Sequence, residues 1–102
     1  MSHGYVIKKS NIHGRGVFAT RRFRRGEPVG VYEGDETSSN GSYVLWVAQE
    51  DGTEIGIRGR NALRFLNHSP TPNCEFSGIE LATLQGIAPG EELTIHYGAD
   101  WD

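Results

Sequence analysis

Fourteen glycines are spread along the 102 residues instead of gathering in one tract. Each is a point where the backbone can turn tightly or take a positive φ, so the chain is divided into segments too short for long helices. The runs between them are rich in β-branched and aromatic residues and are bounded by Gly, Asn, Ser or Asp. They read as strands over residues 5–9, 17–20, 28–33, 43–48, 53–58, 80–85 and 93–95, with Asp51-Gly52 as a hairpin turn. Trp46, inside one of these strands, reads as core. The best helical segment, residues 60–66, sets Leu63 and Leu66 on one face at a spacing of three, but it makes only about two turns. Residues 35–42 consist of Asp, Glu, Thr, Ser, Asn and Gly, a composition with nothing to bury, and read as an exposed loop. The expected fold class is mostly β, with several small sheets and one short helix.

A chain of this length builds one core and therefore one domain, residues 1–102, with no interior boundary. No apolar run approaches the roughly 20 residues that span a bilayer, which excludes a helical membrane protein. The net charge of -3 argues against a dedicated nucleic-acid binder and for a basic partner. Arg21-Arg22-Phe23-Arg24-Arg25 is a local exception, readable as a solvated turn or as a surface for phosphates or an acidic protein. The single Cys74 forms no internal disulfide, and one thiol with four scattered histidines gives no structural zinc site, so no metal is expected. The first residues carry no basic stretch followed by an apolar one, and the expected location is cytoplasmic.

Taken singly, the chemical signals are weak. Gly14-Arg15-Gly16 lets backbone approach a ligand or makes an ordinary turn. Asn67-His68-Ser69-Pro70-Thr71-Pro72-Asn73 makes a rigid polar loop beside the apolar Phe65-Leu66, in which His68 serves as base, ligand or hydrogen-bonded structural residue. Tyr97 follows the last apolar run and reads as an aromatic with a bonded hydroxyl.

In order, these segments carry more. Gly14-Arg15-Gly16-Val17-Phe18-Ala19, then Arg64-Phe65-Leu66-Asn67-His68-Ser69 with Pro72-Asn73, then Gly90-Glu91-Glu92-Leu93-Thr94-Ile95-His96-Tyr97-Gly98 resemble the SET-domain family of protein lysine methyltransferases. Gly26-Glu27 leading into Val31-Tyr32-Glu33-Gly34 matches as well, and the resemblance covers nearly the whole chain as a single minimal SET domain. It implies a β-clip-like fold of several small sheets with a knot-like C-terminal crossing, and S-adenosylmethionine as cofactor. Cofactor-binding roles fall by resemblance on Gly14, Arg15, Gly16, Asn67 and His68, with Arg15 offsetting the cofactor's carboxylate and His68 acting through its backbone. Tyr97 matches the family's catalytic tyrosine, and Tyr43 matches an aromatic of the lysine channel able to hydrogen-bond the amine. Phe76 and Ile95 occupy channel positions where a tyrosine hydroxyl would restrict the enzyme to one methyl group. Trp101, four residues after Tyr97, stands where some relatives place an aromatic over cofactor or peptide.

The departures from the family pattern also bear on function. The segment 35–42 is far shorter than the insert that walls the peptide groove in many members, the flanking zinc-binding cysteines are absent, Pro70 replaces a frequent cysteine, and His96 a frequent aspartate. A missing groove wall is supplied by a second subunit if the chain forms a homodimer. The reading is methyl transfer to lysine in a basic protein or peptide; the alternative is a non-catalytic module that binds S-adenosylmethionine or peptide with the same fold.

Overall fold

The structure, a computed structural model, describes residues 4–98. Its elements in chain order are β1 Tyr5–Lys9, β2 Arg15–Ala19, β3 Pro28–Val31, β4 Gly34–Thr37, β5 Val44–Ala48, β6 Glu54–Gly59, a 3-10 turn Ala62–Phe65, β7 Asn67–His68, β8 Cys74–Ser77, β9 Glu80–Thr83 and β10 Glu92–Ile95. Three small sheets result, with strand orders β1-β2-β10-β7, β3-β9-β8 and β4-β6-β5.

The glycines act as the sequence suggests. Gly14 (φ 46°) closes the β1–β2 hairpin, where the Ser10 N–H donates to the Gly14 carbonyl at 2.8 Å. Gly52 (φ 89°) turns β5 into β6 beside Asp51, whose carboxylate accepts from the Thr53 N–H at 3.0 Å. Both turns need a backbone conformation that costs glycine nothing.

The C-terminal strand is the centre of the topology. β10 runs antiparallel to β2, with Leu93 opposite Val17, and parallel to β7, with Thr94 opposite Asn67. The core forms around it from Val17, Ala19 and Leu93, with Val29, Leu81 and Cys74 from the second sheet, Leu63 from the 3-10 turn and Leu66 just after it. Burying each large aliphatic side chain here stabilises by roughly 1.5–3 kcal/mol. Cys74 is fully buried, and that burial pushes its thiol up to about 12, which leaves it an inert packing residue.

The arginine segment is a turn pinned from within. Phe23 is buried and exchanges backbone hydrogen bonds with Ile87. The Arg21 guanidinium lies 3.9 Å from the Phe23 ring centroid and 2.7 Å from the Glu27 carboxylate, while Arg22, Arg24 and Arg25 are exposed.

Two expectations are corrected, and one is refined. Part of the anticipated loop is strand β4, which pairs Gly34 with Gly59 through Thr37 with Gly56. Its polar side chains face solvent, so backbone pairing to β6 alone makes it a strand and composition carries no sign of it. The short helix at 60–66 is a single 3-10 turn. The Asn61 side chain provides no cap; it donates to the Val31 carbonyl at 2.8 Å and accepts from the Glu33 N–H at 3.3 Å. Trp46 is not core. It is 38% exposed at the outer edge of its sheet, where its indole N–H donates to Asn40 Oδ1 at 3.2 Å.

Candidate active site

The hairpin β1–β2, the strand β5, the Phe65–Asn67 step and the end of β10 surround a cleft of about 1370 Å³. This exceeds the roughly 300–1,000 Å³ of a pocket for one small molecule and leaves room for two reactants. Gly14, Arg15, Tyr43, Asn67, Phe76, Ile95 and Tyr97 all line it, so seven of the residues picked from sequence converge from five parts of the chain. Gly16 and His68 are not on its wall, and Trp101 lies outside the described residues.

The polar loop after Leu66 fastens β10. Asn73 is buried; its Nδ2 donates to the Glu92 carbonyl at 2.8 Å and its Oδ1 accepts from the Thr94 N–H at 2.8 Å. Asn67, also buried, directs Nδ2 to the carbonyls of His13 (3.1 Å) and Arg15 (3.0 Å) and to Glu92 Oε2 (2.8 Å). An amide nitrogen has two hydrogens, so these three acceptors share them. The Ser10 hydroxyl donates to the same carboxylate, 2.8 and 2.9 Å from its two oxygens. Glu92 thereby ties the hairpin turn to β7, a role that sequence reading missed. Gly16 has its explanation here: a side chain at that position would overlap Glu92 Oε2. The pairing of a glycine with a distant glutamate carries no local signature.

Tyr97 is held at both ends. Its backbone N–H donates to His68 Nδ1 at 3.0 Å, and its hydroxyl donates to the Leu66 carbonyl at 2.5 Å. His68 therefore enters the site as the support of Tyr97. Partial burial pushes the Tyr97 phenol above its ordinary value, and the negative charge of Glu92 acts in the same direction. The hydroxyl accordingly keeps its proton at neutral pH. His96, in place of the aspartate frequent in the family, turns Nδ1 to the Gly98 N–H at 3.0 Å and packs edge-on to His68 at 4.6 Å.

The apolar part of the cleft comes from the remaining aromatics. Tyr43 meets Phe65 edge to face at 5.7 Å, and Phe76 meets Tyr32 at 5.5 Å. Tyr43 has φ 66°, the single positive φ among the described non-glycine residues. Its carbonyl accepts from the Tyr32 hydroxyl at 2.5 Å and from the Gly59 N–H at 2.8 Å.

Comparisons with known proteins agree with this arrangement. The family model described as SET domain matches residues 14–98. The chain is 32% identical over 113 residues to the histone-lysine N-methyltransferase trithorax of Drosophila virilis, covering 89% of this chain but 3% of that protein. Among solved structures, the methyltransferase domain of human PR domain-containing protein 2 superposes with a TM-score of 0.76 at 26% identity, covering 98% of this chain and 81% of that one. The structure of ctPRC2 in an autoinhibited conformation bound to S-adenosylmethionine superposes with a TM-score of 0.81 at 24% identity, covering 96% of this chain and 15% of that one.

Proposed function

The chain belongs to the SET-domain family, and from that premise we propose that it transfers methyl groups from S-adenosylmethionine to the side-chain amine of lysine in a basic protein. The observation that carries the reading is the convergence, on one cleft, of a tethered Tyr97 hydroxyl with the Gly14-Arg15 turn and the Tyr43 and Phe65 rings.

The wall fits such a cofactor. Nothing lies within 4 Å of the place a Gly14 side chain would occupy, which leaves the turn open for a ligand against the backbone. Arg15 lines the cleft beside it and offers a cation for a carboxylate. When bound, the cofactor supplies an electrophilic methyl group. The chain's own residues supply the rest. Phe65, Leu66, Phe76 and Ile95 make an apolar channel that disfavours an ammonium, and so bring lysine below its ordinary pKa of about 10.4. Tyr97, protonated and fixed, orients the amine that results, and Tyr43 adds a second aromatic hydroxyl to the cleft wall.

We assign a basic substrate on charge. Glu33, Asp35 and Glu36 are exposed on and beside β4, with Asp35 turned to Arg60 at 3.4 Å. Such a surface steers a basic segment toward the cleft without fixing its sequence. The relatives carry histone-lysine methyltransferase names, and a histone-like tail is the substrate class this reading adopts.

Two results test these roles. Arg15→Ala keeps the hairpin, because Asn67 uses only the Arg15 carbonyl, but weakens S-adenosylmethionine binding by calorimetry about 10- to 100-fold, the worth of one charge-assisted hydrogen bond. Unchanged affinity would remove Arg15 from the cofactor site. Neither Phe76 nor Ile95 carries a hydroxyl to limit the channel, so the expected products on excess cofactor include di- and trimethyl-lysine, with Ile95→Tyr shifting the mass spectrum to monomethyl-lysine. A wild-type spectrum that stops at one methyl would contradict the open channel.

A further inference from the structure

Asn40-Gly41 is the one Asn-Gly step in the sequence, and it lies in the irregular segment between β4 and β5. In such a step the following backbone nitrogen reaches the asparagine amide with no Cβ in its path. Three observations make this step reactive. Both residues are exposed, and a side chain placed on Gly41 would meet nothing within 4 Å. The Gly41 N–H has no hydrogen-bond partner among the described residues, so its nitrogen is available as a nucleophile. Asn40 Oδ1 accepts from the Trp46 indole N–H at 3.2 Å, a donor aimed at the oxygen on which charge gathers when the amide carbon is attacked. Comparable steps elsewhere lack this combination. At Asp51-Gly52 the carboxylate accepts from the N–H and hydroxyl of Thr53, and the Gly52 N–H donates to the Gln49 carbonyl at 3.1 Å. Asn67 and Asn73 are buried, with their amides committed to backbone carbonyls.

We propose that Asn40 is a site of self-modification, converted to aspartate and isoaspartate by attack of the Gly41 nitrogen, with the Trp46 indole N–H stabilising the transition state. The Gly41 nitrogen gives up its proton and bonds to Asn40 Cγ. The Cγ–Nδ2 bond breaks, and Nδ2 takes up a proton and leaves as ammonia, closing a succinimide. Water then opens the ring at either carbonyl, giving aspartate or isoaspartate. No atom changes oxidation state, and water is the one co-reactant. The product sets a carboxylate into the cleft wall, which Asn40 and Gly41 share with Tyr43. It extends the acidic surface of Asp35 and Glu36 into the cleft. That consequence rests on the cleft being the lysine site, where the added charge holds a basic peptide more tightly.

The test is incubation of the folded parent, Asn40→Gln, Gly41→Ala and Trp46→Phe proteins in mildly alkaline buffer. Conversion is read by peptide mass spectrometry and by hydroxylamine, which attacks the succinimide and cuts the chain between Asn40 and Gly41. The parent is expected to gain the mass of amide-to-acid exchange at residue 40 and to be cut there. Asn40→Gln loses both signals and Gly41→Ala loses most of them. Trp46→Phe keeps a ring at an exposed position and converts about two- to tenfold more slowly, the worth of one hydrogen bond. A folded parent that stays intact while its urea-unfolded chain converts would overturn the proposal, because the fold would then protect the step. Conversion as fast in Trp46→Phe as in the parent would overturn the part given to Trp46. The peptide measurement is separate. Asn40→Asp is expected to bind a basic peptide about two- to fivefold more tightly than the parent at low salt, the worth of one exposed charge pair, with the gain shrinking as salt rises. Conversion with no gain in peptide affinity would uphold the modification and remove the lysine-site reading of this wall. A gain in Asn40→Asp with no conversion of the parent would refute the modification and leave that reading standing.

Discussion

Replacing Tyr97 by phenylalanine is expected to lower methyl transfer about 10²- to 10³-fold while leaving S-adenosylmethionine affinity nearly unchanged. That is the loss seen when a single preorganised hydrogen-bonding group is taken from a reacting centre, about 2.7–4 kcal/mol of transition-state stabilisation. Three features of the site make Tyr97 such a group. His68 fixes its backbone, the Leu66 carbonyl fixes its hydroxyl, and burial keeps the phenol protonated at neutral pH. A phenol that commits its proton to a carbonyl presents its oxygen lone pairs as acceptors, which is the polarity needed to orient an amine N–H. The variant loses one hydrogen bond, worth about 1 kcal/mol, so it stays folded and the loss appears in kcat. A variant with full turnover would leave Tyr97 as a structural residue. Single-turnover rates measured beside calorimetry on both proteins separate the two cases.

The largest stability effect is expected at Gly34. This residue faces Gly59 where β4 joins β6, and a methyl group placed on it would overlap the Arg58 carbonyl and come within 3.0 Å of the Gly59 Cα. Both obstacles are backbone, so no rotamer change relieves them and the strands must part. Overpacking of this kind costs about 3 kcal/mol or more. In a domain of about 100 residues that lowers the melting temperature by about 15 °C. Gly41→Ala is the control, because nothing lies within 4 Å of the added methyl, and its melting temperature is expected to match the parent. Thermal unfolding followed by circular dichroism decides it; equal melting temperatures for Gly34→Ala and the parent would contradict the tight β4–β6 contact. The consequence reaches the site, since β6 also carries the Gly59 donor to Tyr43.

Strands β1, β5 and β6 are legible in the sequence because each carries β-branched or aromatic residues between turn formers. β4 is illegible for a physical reason: Asp35 and Glu36 bury nothing, and the strand exists only through hydrogen bonds to a partner about twenty residues away. β7, two residues long, exists because it lies parallel to β10, a pairing across the chain that leaves no periodicity behind. In the site, Tyr43, Asn67 and Tyr97 stood out through the order of motifs. Propensity or charge alone would have left each of them an ordinary core or turn residue. Glu92 and Tyr32 were passed over because their importance lies in what they touch. Glu92 receives Ser10 and Asn67, and Tyr32 holds a carbonyl that only the folded chain brings within reach. Trp46 was misplaced because a strand position shows alternation but not which face of the sheet is covered.

The most direct test is incubation of the chain with S-adenosylmethionine carrying a labelled methyl group and with purified histones, followed by mass spectrometry of the labelled residues. The predicted result is label on lysine side-chain nitrogen, abolished by omitting the chain and sharply reduced in the Tyr97→Phe protein. Calorimetric binding of the cofactor with no label on any lysine, or label on another residue type, would contradict lysine methylation as the function of this cleft.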